Sequence, residues 1–322
     1  MSKSKTYLYY DGIKHLAKDM KGDESIHLGI RPYELHAGNK LALVVYPLLL
    51  CEELEKHGKA PQFNLILSLN DWEQRVLAGT NIYKYTYDVY PLDTTIQYAK
   101  EPDGVTETTK IWGEKIIVTI KEIQSRYPSI TITPLYNSDL KNTAAMKHVV
   151  LRTLRDGEGV KQAMIAVTGR PSDGSSARFS AVVCPKCKDA NTKVTGIVDD
   201  NIGIHCPKCG KDFSGKYLDF MYWLHHKPLF AARWRALNFP YSLSGGDHYD
   251  EGDAEVRRAL YQYYFDETPP KLDMVFSSVL LGDNGDKMSK SRQNYFDADV
   301  NLLLESERNN GGNKYLELKN HE

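Results

Sequence analysis

The chain has 322 residues, with 41 lysines and arginines against 42 aspartates and glutamates and a formal net charge of −1, and it is long enough to bury a sizeable core as one domain with an insertion. So even a balance excludes a whole-molecule electrostatic funnel for nucleic acid, so any RNA contact has to come from a local patch. No run of about eighteen apolar residues offers a membrane span, and Met1 to Lys5 lacks the apolar stretch of a signal peptide, so the expectation is a cytoplasmic protein with no membrane partner.

Residues 1–24 read as an N-terminal helix and lead-in, before a first half-domain over 25–168. Ser25–Ile30 is a short apolar stretch suited to a buried parallel strand, and Leu41–His57 carries apolar residues at helical spacing, with Cys51 as a core thiol. Between them, His36-Ala37-Gly38-Asn39 opens the helix. Unpaired amides and the positive end of the dipole make a helix start a phosphate site, and His36 and Asn39 add donors three residues apart. Taken alone, that motif is a weak signal and reads first as a capping turn with a surface histidine. A second strand follows at Phe63–Leu69. Next comes a polar, tyrosine-rich stretch at about 70–102, too long for a simple crossover and expected to be a substrate-facing insertion. Its Tyr83, Tyr85, Tyr87 and Tyr90 fit either stacking on bases or a half-buried strand. Lys110–Arg126 reads as a helix, Ile130–Leu135 as a strand and Ala144–Asp156 as a helix. Strands alternating with helices predict a mostly parallel sheet with its ligand at the carboxyl ends of the strands.

Residues 169–215 form a separate insertion, entered through the flexible run Gly169–Ser176. Cys184-Pro185-Lys186-Cys187 and Cys206-Pro207-Lys208-Cys209, eighteen residues apart, match a four-thiolate zinc pattern closely. Two such knuckles complete a tetrahedron with no open position, so Zn2+ there would be structural; disulfides are the alternative. His205 reads as a strand residue. The second half-domain, 216–295, begins with one or two helices over Tyr217–Leu237, broken near Pro228. After Ser242-Leu243-Ser244-Gly245-Gly246-Asp247-His248 come a helix at Asp253–Tyr264, a break at Pro269-Pro270 and a strand at Met274–Leu281. The loop Lys287-Met288-Ser289-Lys290-Ser291 precedes a short tail, 296–322. Two lysines and two serines can wrap a polyphosphate and follow its charge as pyrophosphate leaves, with Lys290 the main cation and Lys287 assisting.

Together the helix-start motif and the lysine–serine loop resemble the class I aminoacyl-tRNA synthetases, whose signatures are His-x-Gly-His/Asn and Lys-Met-Ser-Lys-Ser. Gly245-Gly246-Asp247-His248 looks like the segment that lies against the ATP ribose in that family. The likeness is strongest to the class I lysyl-tRNA synthetases. Phe230-Ala231-Ala232-Arg233-Trp234 looks like their Trp-Pro-Ala-Arg-Trp run, Leu69-Asn70-Asp71-Trp72 resembles their acidic, aromatic loop, and the cysteine-rich insert lies in the expected place. The resemblance covers roughly residues 20–295.

It implies an α/β fold, a Rossmann-like doubly wound parallel sheet with an inserted zinc subdomain. It further implies a ligase that forms an aminoacyl-adenylate from an amino acid and ATP with Mg2+. Catalytic roles then fall to His36, Asn39, Lys287 and Lys290, and ATP contacts to Gly38, Gly246, Asp247, His248, Met288 and Ser289. Arg31, Tyr33, Glu34 and His226 would touch the amino acid.

The sequence departs from the family at several places. The turn before His36 is one residue short, His226 and Phe230 stand where lysyl relatives have tryptophans, and Leu229 replaces an acidic residue. Arg31 would repel a lysine ammonium and favour a carboxylate or carbonyl, or would serve as a salt bridge at the rim. Thirty-one residues follow Ser291, too few for the helical anticodon-binding region of full-length relatives. The acceptor expected is therefore either the acceptor end of a tRNA or a non-tRNA small molecule, peptide or carrier protein. Two other readings are a non-catalytic sensing paralogue and a different nucleotidyl transferase.

Overall fold

The computed structural model describes residues 4–32, 35–73, 97, 107–169, 179–282, 285–288, 294 and 296–318. Most of the tyrosine-rich insertion and of the run after Gly169 therefore lies outside the described residues.

Six described strands form one wholly parallel sheet: β1 (Thr6–Leu8), β2 (Ser25–Ile30), β3 (Asn64–Leu69), β4 (Thr131–Tyr136), β10 (Tyr241–Ser244) and β11 (Asp273–Phe276). Their order is β1-β11-β10-β2-β3-β4. The chain runs outward from β2 to β4 on one side and from β10 to β11 on the other, with the first strand, β1, at the edge beyond β11. The connection reverses between β2 and β10, and a doubly wound sheet opens its ligand crevice at the carboxyl ends of such a pair.

Both faces of the sheet are covered, and alternation along the strands shows how. Leu65, Leu67 and Val275 belong to one buried cluster, whereas Ile66, Met274 and Phe276 belong to another. Over the first face pack helices α1 (Tyr9–Asp19), α3 (Tyr46–Lys56), α4 (Thr108–Arg126) and α10 (Val300–Asn309). Each is amphipathic; α1, for example, buries Ile13, Leu16 and Ala17, each leucine or isoleucine worth about 1.5–3 kcal/mol. Grouped on the other side are α5 (Ala144–Arg155), α6 (Gly157–Thr168), α7 (His226–Leu237) and α9 (Asp253–Phe265). Helix α3 is the continuation of α2 (Ala37–Lys40), joined to it through five π-type residues, Leu41–Val45.

The insertion is antiparallel. Strands β5 (Ser180–Val183) and β9 (Met221–Leu224) form a stem, and β6 (Lys193–Val198), β7 (Asn201–Cys206) and β8 (Lys211–Lys216) form a three-stranded sheet beyond it.

Several expectations change. The lead-in contains β1, too short to show a period of its own, which holds the sheet edge against β11. Tyr217–Leu237 is not a broken helix pair. It is a turn at Tyr217–Asp219, then β9, whose apolar and aromatic run suits a strand, then α7 without a break. Pro228 sits in the first turn of α7, where a missing N–H costs no helical hydrogen bond. The strand expected at Met274–Leu281 divides into β11 and β12 (Val279–Leu280), which leaves the sheet to pair with β13 (Tyr315–Leu316). At the division Ser278 donates its N–H to Tyr46 Oη at 2.8 Å and its hydroxyl to Glu307 Oε1 at 2.7 Å. His205 lies in β7, as its setting suggested, and bonds Asp212.

Candidate active site

Two adjoining cavities open at the carboxyl ends of β2 and β10. The outer one, about 480 Å³, is bounded by the start of α2, the end of β10 and the first two residues of the lysine–serine loop, Lys287 and Met288. His36 caps the helix, and its backbone N–H donates to Asn39 Oδ1 at 3.4 Å. Segments some 250 residues apart meet here. A side chain on Gly38 would begin 3.2 Å from the Met288 methyl carbon, and the Ala37 N–H donates to the Phe296 carbonyl at 3.0 Å.

Gly246 closes the opposite wall. A Cβ there would lie 2.0 Å from the Ser277 carbonyl oxygen, so only glycine permits this approach. Gly246→Ala is expected to destabilise the protein by roughly 1–3 kcal/mol in urea unfolding, the usual cost of overpacking. An unchanged midpoint would show that the wall yields freely.

Asp247 begins the short helix α8 (Asp247–Asp250), and its Oδ2 accepts from Lys287 Nζ at 2.7 Å. Burial opposes ionisation of Asp247, but His248 and Lys287 outweigh it and hold the carboxyl below the ordinary range. His248 is raised to about 9: burial works against its charge, and the Glu251 hydrogen bond with Asp247 and Asp253 overcomes that. Lys290 and Ser289, expected beside these groups, lie outside the described residues.

The inner cavity, about 330 Å³, shares His36, Asn39 and His248 with the outer one. Arg31 and His226 both line it; Tyr33 and Glu34 lie outside the described residues. Arg31 pairs with buried Glu73, so it is at once a lining residue and half of a rim salt bridge. Burial and the neighbouring His225 keep His226 well below its ordinary pKa and therefore neutral. His27, also neutral, spans β3 and β10 by hydrogen bonding Ser68 at 3.0 Å and Ser242 at 3.3 Å.

Two arginines not expected in this role complete the lining. Arg233, within α7, is 2% exposed, and its Nη1 donates to Asn70 at 2.6 Å and Asn137 at 2.8 Å. Its motif was visible in the sequence, but its neighbours at the ends of β3 and β4 were not. Arg257 pairs with Asp253 and lies 4.0 Å over the Phe230 ring. One helical turn apart, Asp253 and Arg257 look in sequence like an ordinary surface pair.

The four cysteines of the insertion converge. Cys184 and Cys209 sulfurs lie 3.7 Å apart, those of Cys187 and Cys206 3.5 Å, and all four fall within 4.8 Å of one another. Bonds of about 2.3 Å in a tetrahedron put thiolates about 3.8 Å apart, so the donor set fits Zn2+. All four are free thiols, which overturns the disulfide alternative. The knuckles share one geometry: Lys188 N–H donates to the Cys184 carbonyl at 3.0 Å, and Gly210 N–H to that of Cys206 at 2.9 Å. Both following residues are left-handed, at φ 60° and 63°, a conformation glycine adopts freely and lysine rarely.

No helix among the described residues is long and apolar enough to cross a membrane. No curated protein matches the chain. The solved tyrosyl-tRNA synthetase of Archaeoglobus fulgidus, complexed with L-tyrosine, is similar over 91% of this chain and 66% of that one, at 14% identity and a TM-score of 0.44. For the tyrosyl-tRNA synthetase of Leishmania major with tyrosinol the figures are 90%, 35%, 12% and 0.42. The chain thus spans less than two thirds of the length of either. The family described as tRNA synthetases class I (K) matches residues 34–304, a span that runs from the start of α2 into α10 and encloses most of both cavities and all four cysteines, and the chain belongs to that family.

Proposed function

We propose that this chain activates an amino acid with ATP, forming an aminoacyl-adenylate and pyrophosphate, and passes the acyl group to the acceptor end of a tRNA. The observation that supports this reading is the meeting of the His36–Asn39 helix start with Lys287 and Met288 around one cavity, with a second chamber behind it.

In this reading ATP occupies the outer cavity. His36 and Asn39 bind phosphate oxygens at the helix start, where the backbone amides and dipole already favour an anion. Gly246 admits the ribose and Asp247 accepts its hydroxyls once Lys287 exchanges that carboxylate for the polyphosphate. The amino-acid carboxylate attacks the α-phosphorus in line; the new P–O bond forms as the bond to the bridging oxygen breaks, and pyrophosphate departs with Lys287 and Lys290. No protein nucleophile is required, so positioning and charge stabilisation carry the rate. Mg2+ bound to the phosphates would add charge neutralisation. Zn2+, held by Cys184, Cys187, Cys206 and Cys209, would act structurally.

The test is amino-acid-dependent exchange of labelled pyrophosphate into ATP across a full amino-acid panel. Exchange driven by one amino acid is the expected result, and none with any of them overturns the reading. Transfer is tested separately by a tRNA gel shift at two salt concentrations, where salt-insensitive or absent binding removes tRNA as the acceptor.

A further inference from the structure

His36 and Asn39 reach the outer cavity from the start of α2, and Lys287 reaches it from the loop that follows β12. One buried side chain behind the cavity wall ties both supports together. Glu307, in α10, is fully buried, and its Oε1 accepts two hydroxyls, from Tyr46 at 2.7 Å and from Ser278 at 2.7 Å.

Tyr46 opens α3 where the π-type residues Leu41–Val45 end, on the same continuous helix that His36 and Asn39 begin. A π segment offsets the helical register, and such offsets recur where a helix serves a function. Ser278 lines the cavity beside Ser277 and Val279. Its N–H donates to Tyr46 Oη at 2.8 Å, so three hydrogen bonds close a ring between the helix, the end of β11 and α10. Burial raises the pKa of Glu307, and the two hydroxyl donors draw it back. Its other oxygen, Oε2, has no hydrogen-bond partner among the described residues, so a single accepting oxygen carries the whole link.

From Ser278 the chain passes directly towards the lysines. Val279 N–H donates to the Lys314 carbonyl at 2.7 Å and Leu281 N–H to that of Leu316 at 3.0 Å, so β13 holds β12 in place. Strand β12 then sets the base of the loop: Met288 N–H donates to the Leu280 carbonyl at 2.9 Å, and Lys287 pairs with Leu281. A shift of Ser278 therefore displaces Lys287. Glu307 and β13 both follow residue 304, where the family match ends.

We propose that Glu307 is a positioning residue for adenylate formation: through Tyr46 and Ser278 it fixes the spacing between the helix that carries His36 and Asn39 and the strand that leads to Lys287. The inference rests on the reading that the outer cavity holds ATP. Glu307 touches no reacting atom; its effect comes from the placement of groups that do, where a misplacement of about 1 Å can cost on the order of a hundredfold in rate.

The test is steady-state pyrophosphate exchange by the whole protein carrying Glu307→Leu, Glu307→Gln or Tyr46→Phe, assayed well below each variant's Tm. Glu307→Leu is expected to lower kcat about tenfold or more while the amino-acid KM stays within about twofold of the parent, because the link acts behind the ATP cavity. Glu307→Gln keeps the accepting oxygen and should hold kcat within about threefold, with Tyr46→Phe between the two. A purely structural role would lower Tm and leave kcat unchanged. Parent kcat in folded Glu307→Leu, or equal losses in the leucine and glutamine variants, overturns the inference; if Glu307→Leu does not fold, Tyr46→Phe takes its place, and parent kcat there overturns it. With no exchange in the parent for any amino acid, activation falls, and the link is read instead from titration with a non-hydrolysable ATP analogue. Affinity weakened about fivefold or more by Glu307→Leu or Tyr46→Phe but not by Glu307→Gln then upholds the link, and unchanged affinity overturns it. An analogue that fails to bind the parent overturns both readings.

Discussion

Lys290→Ala is expected to lower pyrophosphate exchange by about a hundredfold or more, the usual loss when one preorganised donor to a developing anion is removed. The effect should fall on the maximal rate and leave the amino-acid KM near its parent value, because the charge it meets develops only as pyrophosphate leaves. Lys287→Ala should cost less. Lys287 already spends part of its interaction on Asp247, 2.7 Å away, so its gain in the transition state is a difference between two anionic partners. Met288, buried and touching Gly38, anchors the start of the loop in both variants. Exchange within about fivefold of the parent in Lys290→Ala would remove that residue from the mechanism.

Loss of metal from the cysteine cluster is expected to have the largest effect on stability. Structural zinc contributes about 10–16 kcal/mol of apparent binding energy in small domains, and the three-stranded sheet beyond the stem buries few side chains besides Ile202 and Ile204. Purified protein should contain one zinc per chain, and Cys206→Ser or a strong chelator should lower Tm. Activity should fall as well. The stem strand β9 ends with Leu224 N–H bonded to the Trp72 carbonyl at 2.9 Å, directly before Glu73, and passes into His226 of the chamber. Protein that purifies without metal and keeps its Tm in chelator would dismiss the zinc assignment.

What the sequence showed and what it hid divide by range. Local signals were legible: β2 and the helix start behind it, β3, β4, α9 and the paired knuckles all announce themselves within a dozen residues. Strand order was not, because the placement of β10 between β2 and β11 depends on contacts with no local trace. Elements whose stability comes from a partner were missed for the same reason: β1 needs β11, and β9 needs β5. In the site, the motif residues His36, Asn39 and Asp247 could be picked out by type and spacing. Arg233, Arg257 and Glu73 acquire their meaning only from what surrounds them.

The order of the sheet also sets a timetable for synthesis. Strand β1 leaves the ribosome first, yet the strand it pairs with lies far downstream: Lys5 bonds Asp273, 268 residues on. The crevice strand β2 likewise waits for β10, 215 residues on at the His27–Ser242 bond. A nascent chain can assemble β2, β3 and β4 early, but the β2 edge stays open until β10 emerges, and β1 stays unpaired until β11 follows. During that interval the half-built sheet presents the unpaired backbone groups of β2, a template for pairing with another chain.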